Sequence, residues 1–220
     1  MIKIITGLYF AVQLKECKMP KKLVAIVGTY RKGGITDQIV AEIVRAAIDR
    51  GVDVNIIHLL DKHIEFCVNC RNCTQEKDVD RRGRCVHDDD MDSILQEIDA
   101  ADAIVLASPV NWFRVTALMK RFIERLVVYG YWPWDFPGGP KNRVRNITKR
   151  AVIVTSAACP GFIARLMIPA PLRLMKAVSK TIGAKVVDKI YFGLAAQQPQ
   201  QKLTEKQRQR AYRAGAKLIG

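Results

Sequence analysis

The feature that most constrains this chain is a regular change of hydrophobic period. From Leu23 onward, short apolar runs alternate with stretches whose apolar residues recur at helical spacing. LVAIV (23–27) is a continuous apolar run closed by Gly28, as expected of a strand covered on both faces. Ile39, Val40, Ile43, Val44 and Ala47 then mark one face of a helix that runs to Gly51. The same reading predicts strands at 52–59, 103–108, 151–156 and 185–192. It predicts helices at about 91–99, 115–126, 162–182 and 204–219. Residues 60–90 follow neither period and are polar, irregular and cysteine-bearing.

Strand–helix alternation implies a parallel sheet with helices on both faces. Five strands predict an α/β, flavodoxin-like doubly wound sheet of order 2-1-3-4-5 in a single domain over 19–220. That order places a ligand crevice at the carboxyl ends of the first and third strands. Residues 1–18 (MIKIITGLYFAVQLKECK) lack a small-x-small cleavage site and read as an amino-terminal appendage ahead of Met19. No apolar run approaches the roughly 20 residues that span a bilayer.

The loop after the first strand reads Gly28-Thr29-Tyr30-Arg31-Lys32-Gly33-Gly34-Ile35-Thr36 and leads straight into a helix. Glycines allow a tight turn, and a helix start offers unpaired N–H groups and a positive dipole end. Two threonine hydroxyls and an arginine complete a site suited to one phosphate. There is no G-x-G-x-x-G and no G-x-x-x-x-G-K-[ST], which argues against a dinucleotide fingerprint and a P-loop.

GTYRKGGIT resembles the GSxRxxGxT phosphate loop of NADPH-dependent FMN reductase-like flavoproteins. The resemblance assigns Thr29, Arg31, Gly34, Ile35 and Thr36 to the FMN phosphate. Thr29 stands where Ser is usual and Ile35 where Asn is common. After the third strand, Ser108-Pro109-Val110-Asn111-Trp112-Phe113-Arg114-Val115-Thr116 is similar to that family's SPVYxxxxT segment, with Asn111 where Tyr is frequent. The resemblance places Pro109, Val110, Asn111, Trp112 and Phe113 along the isoalloxazine ring. Thr155-Ser156-Ala157-Ala158, where the fourth strand ends, would supply a third flavin-facing loop, with Thr155 and Ser156 as its candidate contacts. No side-chain general base stands out, so no catalytic residue is assigned.

Cys67-x-x-Cys70-x-x-Cys73 brings three thiols within seven residues, and Cys85 follows after eleven more. Three sulfurs at this spacing can wrap an iron–sulfur cluster that a more distant cysteine closes. Zinc, with His87 nearby, and redox-active free thiols are the other readings. The stretch also resembles the iron–sulfur flavoprotein branch of the same family, although its last spacing is longer here. That resemblance assigns Cys67, Cys70, Cys73 and Cys85 to a [4Fe–4S] cluster. Arg71, Arg81, Arg82 and Arg84 are placed to offset the cluster's charge.

Residues 129–140 gather five of the sixteen aromatics in an irregular loop, expected as a lid over the crevice, an oligomer contact or a packed surface loop. The net charge of +15 falls entirely in residues 141–220, which hold 17 basic side chains against Asp188 and Glu205. Such a field attracts anions, but no nucleic-acid-binding motif accompanies it. The combined expectation is a cytoplasmic, homo-oligomeric, FMN-dependent NAD(P)H oxidoreductase without a membrane span. A flavodoxin-type electron carrier is the nearer alternative, and a basic nucleic-acid-binding module the more distant one.

Overall fold

The computed structural model describes residues 22–77 and 79–220. Residues 1–18, expected as an appendage, lie outside the described residues. The element order is β1 (Lys22–Val27), α1 (Ile35–Ile48), β2 (Asp53–His58), α2 (Met91–Ala100), β3 (Ala103–Ala107), α3 (Ala117–Arg125), β4 (Lys149–Ser156), α4 (Gly161–Met167), α5 (Ala170–Thr181), β5 (Ala184–Phe192) and α6 (Glu205–Ile219). All five strands are parallel and lie in the order β2-β1-β3-β4-β5, as the alternation predicts. Ala25 of β1 pairs with Ile56 on one side and Val105 on the other, which fixes β1 at the centre of the sheet's first half. A short antiparallel ribbon joins Gly130–Tyr131 to Lys141–Asn142.

Five of the six helices, all but α4, cover one face of the sheet. Ile39 and Ile43 of α1 and Leu218 of α6 pack with Ala25, Val105 and Val154. Ile98, Phe122 and Met175, from α2, α3 and α5, pack with Val24, Ile104 and Ile153 on the opposite face. Burial of each such side chain stabilises the fold by roughly 1.5–3 kcal/mol. At Gly215 a Cβ would stand 2.3 Å from the Ile43 carbonyl oxygen, so glycine is what lets α6 lie against α1. Thr204 and Gln207 form a reciprocal capping box that starts α6.

The single helical stretch expected over 162–182 is two helices. Pro169 lacks an N–H, so the α4 ladder cannot run through it, and α5 restarts with Pro169 as its cap. The helix expected to 126 ends at Arg125 and tightens into a 3₁₀ turn over Leu126–Tyr129. None of the described helices is long and apolar enough to cross a membrane.

Candidate functional site

At the carboxyl end of β1, Gly28 donates its N–H to the Ala107 carbonyl at 2.8 Å. A Cβ on Gly28 would lie 2.7 Å from the Met119 Cβ, so only glycine lets β1 leave the sheet over the start of α3. Thr116 locks this junction. Its hydroxyl donates to the Gly28 carbonyl (2.6 Å) and accepts the Met119 N–H (3.2 Å) as the cap of α3. Its own N–H donates to the Ser108 hydroxyl at 3.1 Å. The two sequence loops are therefore joined through one buried threonine.

The turn that follows is held by its own backbone. Thr29 Oγ1 accepts the Arg31 N–H at 3.2 Å, and Gly34 N–H donates to the Arg31 carbonyl at 3.2 Å. Gly33 takes φ of +73°, and its N–H donates to Asp37 at 2.7 Å. Burial raises the Asp37 carboxyl above its ordinary value, against the opposing pull of that N–H, His58 and Lys32. Gly34 caps α1 with no side chain. The N–H groups of Ile35, Thr36 and Asp37 consequently have no hydrogen-bond acceptor among the described residues. Thr36 Oγ1 sits 3.0 Å from Ser156 Oγ, which brings the β4 loop to the same place. Three free N–H groups at a helix start, beside two threonine hydroxyls, form a donor set that suits a phosphate.

These residues bound a cleft of about 270 Å³. Thr29, Arg31, Gly34, Ile35 and Thr36 line one side of it. Pro109, Val110, Asn111, Ser156 and Ala157 line the other, together with Thr116 and Ala195, which the sequence reading did not assign. Thr116 carried a signal, since it closes the SPV segment. Ala195 carried none, because it arrives from the loop after β5.

Three assigned residues stand elsewhere. Thr155 points to the sheet face opposite Ser156, because successive strand residues alternate. Its side chain is fully buried, and its hydroxyl has no partner there among the described residues. Trp112 and Phe113 form the two central residues of a tight hairpin closed by Asn111 and Arg114 at 2.9 and 3.0 Å. Both take left-handed backbone, with φ of 47° and 63°, in a turn that favours Asn-Gly. Trp112 is 88% exposed and Phe113 58% exposed, so they line neither core nor cleft.

At the carboxyl end of α3 the four cysteines come together. Cys67, Cys70, Cys73 and Cys85 all line one small cavity, with His87 and Arg125 beside them, and all four are free thiols. The excursion between Cys73 and Cys85 closes through Gly83, whose N–H donates to the Val128 carbonyl at 2.8 Å. A Cβ on Gly83 would fall 1.8 Å from the Cys73 carbonyl oxygen. Burial first, then the neighbouring thiols, push the Cys73 thiol up to about 11. Among the described residues no three His, Cys, Asp or Glu side chains are drawn tightly enough to hold a single metal ion. A wider open groove, about 1000 Å³, gives solvent a route to Cys85 along the 80–92 segment.

Of the expected charges Arg71 lines this cavity, whereas Arg81 and Arg82 are engaged with carboxylates. Arg82 pairs with Asp92 (2.7 Å) and Asp99 (2.9 Å), and Arg81 faces Asp99 at 3.7 Å. The cation that touches a cysteine is Arg125, which donates to Cys85 Sγ at 3.4 Å. Arg125 also donates to both Asp89 oxygens and to the Glu65 carbonyl. Burial opposes ionisation of Asp89, but hydrogen bonds from Arg125 and from the Glu65 and Met91 N–H groups hold its carboxyl below the ordinary value. The aromatic loop is neither a lid on the cleft nor a free surface: it packs on the cysteine loop.

Residues 21–198 match the family model described as NADPH-dependent FMN reductase. The chain belongs to the NADPH-dependent FMN reductase family. Within that family it is 36% identical, over 112 residues, to an iron–sulfur flavoprotein of Archaeoglobus fulgidus, covering 51% of this chain and 48% of the relative. It is 35% identical, over 104 residues, to an iron–sulfur flavoprotein of Methanocaldococcus jannaschii, covering 47% of this chain and 51% of that one. This FMN reductase-family chain thus spans about half the length of these curated relatives. Its fold is shared with the NAD(P)H:quinone oxidoreductase from Methanothermobacter marburgensis, at a TM-score of 0.67 and 19% identity, over 92% of this chain and 98% of that one.

Proposed function

We propose that this chain is an FMN-dependent NAD(P)H oxidoreductase whose cysteines hold a [4Fe–4S] cluster and whose electrons pass to a small-molecule or protein acceptor. The observation that carries the reading is the joint presence, in one fold, of an anion-ready α1 start and a cavity walled by four free cysteines. FMN, when bound, would supply hydride acceptance from the nicotinamide and single-electron release. The chain's own residues bind and orient. The Ile35, Thr36 and Asp37 N–H groups, with the Thr29 and Thr36 hydroxyls, would hold the phosphate. Pro109, Val110 and Asn111 shape the wall on which the ring would rest. No side chain is needed to move a proton, in keeping with a cleft lined, among the described residues, by no histidine or cysteine.

For the metal, four thiols on one cavity match the donor chemistry of a cluster. A zinc ion with sulfurs at about 2.3 Å would need them gathered more tightly than a cubane does. The cytoplasm, whose reducing conditions favour such ligation, is the compartment this reading implies. A homo-oligomer would give the exposed Trp112 and Phe113 a partner.

The test is anaerobic purification followed by flavin release, iron and sulfide analysis, and steady-state NAD(P)H oxidation with an added quinone. FMN, about four irons and turnover would bear out the proposal. Bound FMN without nicotinamide oxidation would make the chain an electron carrier, and stoichiometric zinc without iron would replace the cluster with a structural metal.

A further inference from the structure

We propose that Arg71, gripped between Trp132 and Trp134, is a positioning residue that fastens the cysteine loop in its ligand-holding shape before any metal is present. The inference takes the cysteine cavity from the reading above and adds what holds it open.

The loop needs a fastener. Cys70 is flanked by Asn69 and Arg71, and both take left-handed backbone, at φ of 55° and 60°. Asparagine tolerates this region, but arginine is strained in it, and such strain persists only where surrounding structure over-determines it. The surrounding structure here is the aromatic loop. The Arg71 guanidinium carbon lies 3.6 Å from the Trp132 ring centre and 4.3 Å from that of Trp134. One guanidinium nitrogen donates to the Trp132 and Pro133 carbonyls, both at 2.8 Å.

A second layer of bonds runs between the same two segments. Trp132 N–H donates to the Thr74 carbonyl at 2.9 Å, and the buried Thr74 hydroxyl donates to the Trp132 carbonyl at 3.0 Å. That hydroxyl's one proton is shared with the Arg71 carbonyl at 2.7 Å, to which the Gln75 amide also donates, and Trp134 N–H donates to Gln75 Oε1. The clasp closes on residues 71–75, which carry Cys73 and follow Cys70 directly. A planar cation stacked on two indoles is hard to replace: lysine keeps the charge but loses both the fork and the stacking plane.

The experiment follows alkylation of individual cysteines in the full chain, reduced and stripped with chelator, by peptide mass mapping. In Arg71→Ala and in the milder Trp134→Leu, Cys70 and Cys73 are expected to react about tenfold faster than in the parent, the size of a lost cation–π contact that is only partly desolvated. Arg71→Lys should not restore the parent rate. Cys159, outside this loop, is the internal control and keeps its rate, as does FMN binding. Parent-like rates at Cys70 and Cys73 in both variants would overturn the clasp. A uniform rise that includes Cys159 would mean general unfolding and would also overturn it. Iron retention against chelator, measured separately, reports on the cluster: protected thiols in a chain that takes up no iron would leave the clasp standing and remove the metal.

Discussion

The cleft and the cysteine cavity lie at the two ends of α3 and are built on opposite principles. The cleft is made from strand ends. Its parts are the Gly28 exit, the uncapped α1 start and the Ser156 hydroxyl, all delivered by adjacent strands of a sheet whose order already creates a crevice there. The cavity is an insertion between β2 and α2 with no sheet beneath it. Contacts made one by one hold it: Arg71 on two tryptophans, the Gly83 backbone against Cys73, Arg125 beside Cys85. A site inherited from topology needs few specific partners, whereas an inserted one needs many, and each is a point of failure.

The largest expected break in that comparison is at Arg125. Its side chain is 2% exposed and that of Asp89 1% exposed, with 2.5 Å between their charged atoms. Asp89→Asn leaves a buried guanidinium without its charge partner and should cost about 4 kcal/mol, read by denaturant unfolding. The effect carries a pH signature. Because the Asp89 carboxyl is held below its ordinary 3.8, its contribution is fully present above that value. It fades as pH falls through the lowered value, so parent and variant stabilities should converge in strong acid. A constant difference down to low pH would assign the loss to packing.

Gly83→Ala should come next, at about 3 kcal/mol, because the added Cβ meets backbone that cannot give. Iron uptake should fall while FMN affinity, measured on folded protein by fluorescence titration, stays put. Equal losses of both cofactors would show that the two regions are not separable. The converse variant is Thr29→Ala with Thr36→Ala. It should weaken FMN by about 2 kcal/mol through lost hydrogen bonds to a charged group, and leave the cysteine alkylation pattern unchanged. The smallest effect has the opposite sign. Trp112→Asn with Phe113→Gly suits the left-handed hairpin and should stabilise the fold by about 1 kcal/mol. A rise in the KM for NAD(P)H alongside that gain would show that the two aromatics are kept for contact with the substrate.

How much of this could be read from the sequence follows the same division. Periodicity sufficed for all five strands, and the glycines around Arg31 with the Pro109 turn located the cleft, because these signals are local. The spacing of Cys67, Cys70 and Cys73 is local too. What the sequence did not disclose is long-range. Nothing near Arg125 announces a bond to Cys85, forty residues away. The aromatic loop offered composition but no partner, and its partner proved to be Arg71. For Trp112 and Phe113 the resemblance suggests a ring contact, and what it did not disclose is the short hairpin closed by Asn111 and Arg114, which turns them outward.

One consequence lies in the length of α3. Its cap, Thr116, belongs to the cleft, and its last residue, Arg125, belongs to the cavity. At 1.5 Å per residue the two are separated by about 13 Å along the axis, and each residue also turns the helix by about 100°. Distance and rotational phase are therefore set together. Inserting a single alanine in α3 would lengthen the spacer only slightly, yet it would swing Arg125 away from Cys85. An insertion of seven residues, close to two full turns, would nearly restore the phase while moving the two sites farther apart. The helix acts as a keyed shaft, and evolution can retune the gap between the sites only in whole turns.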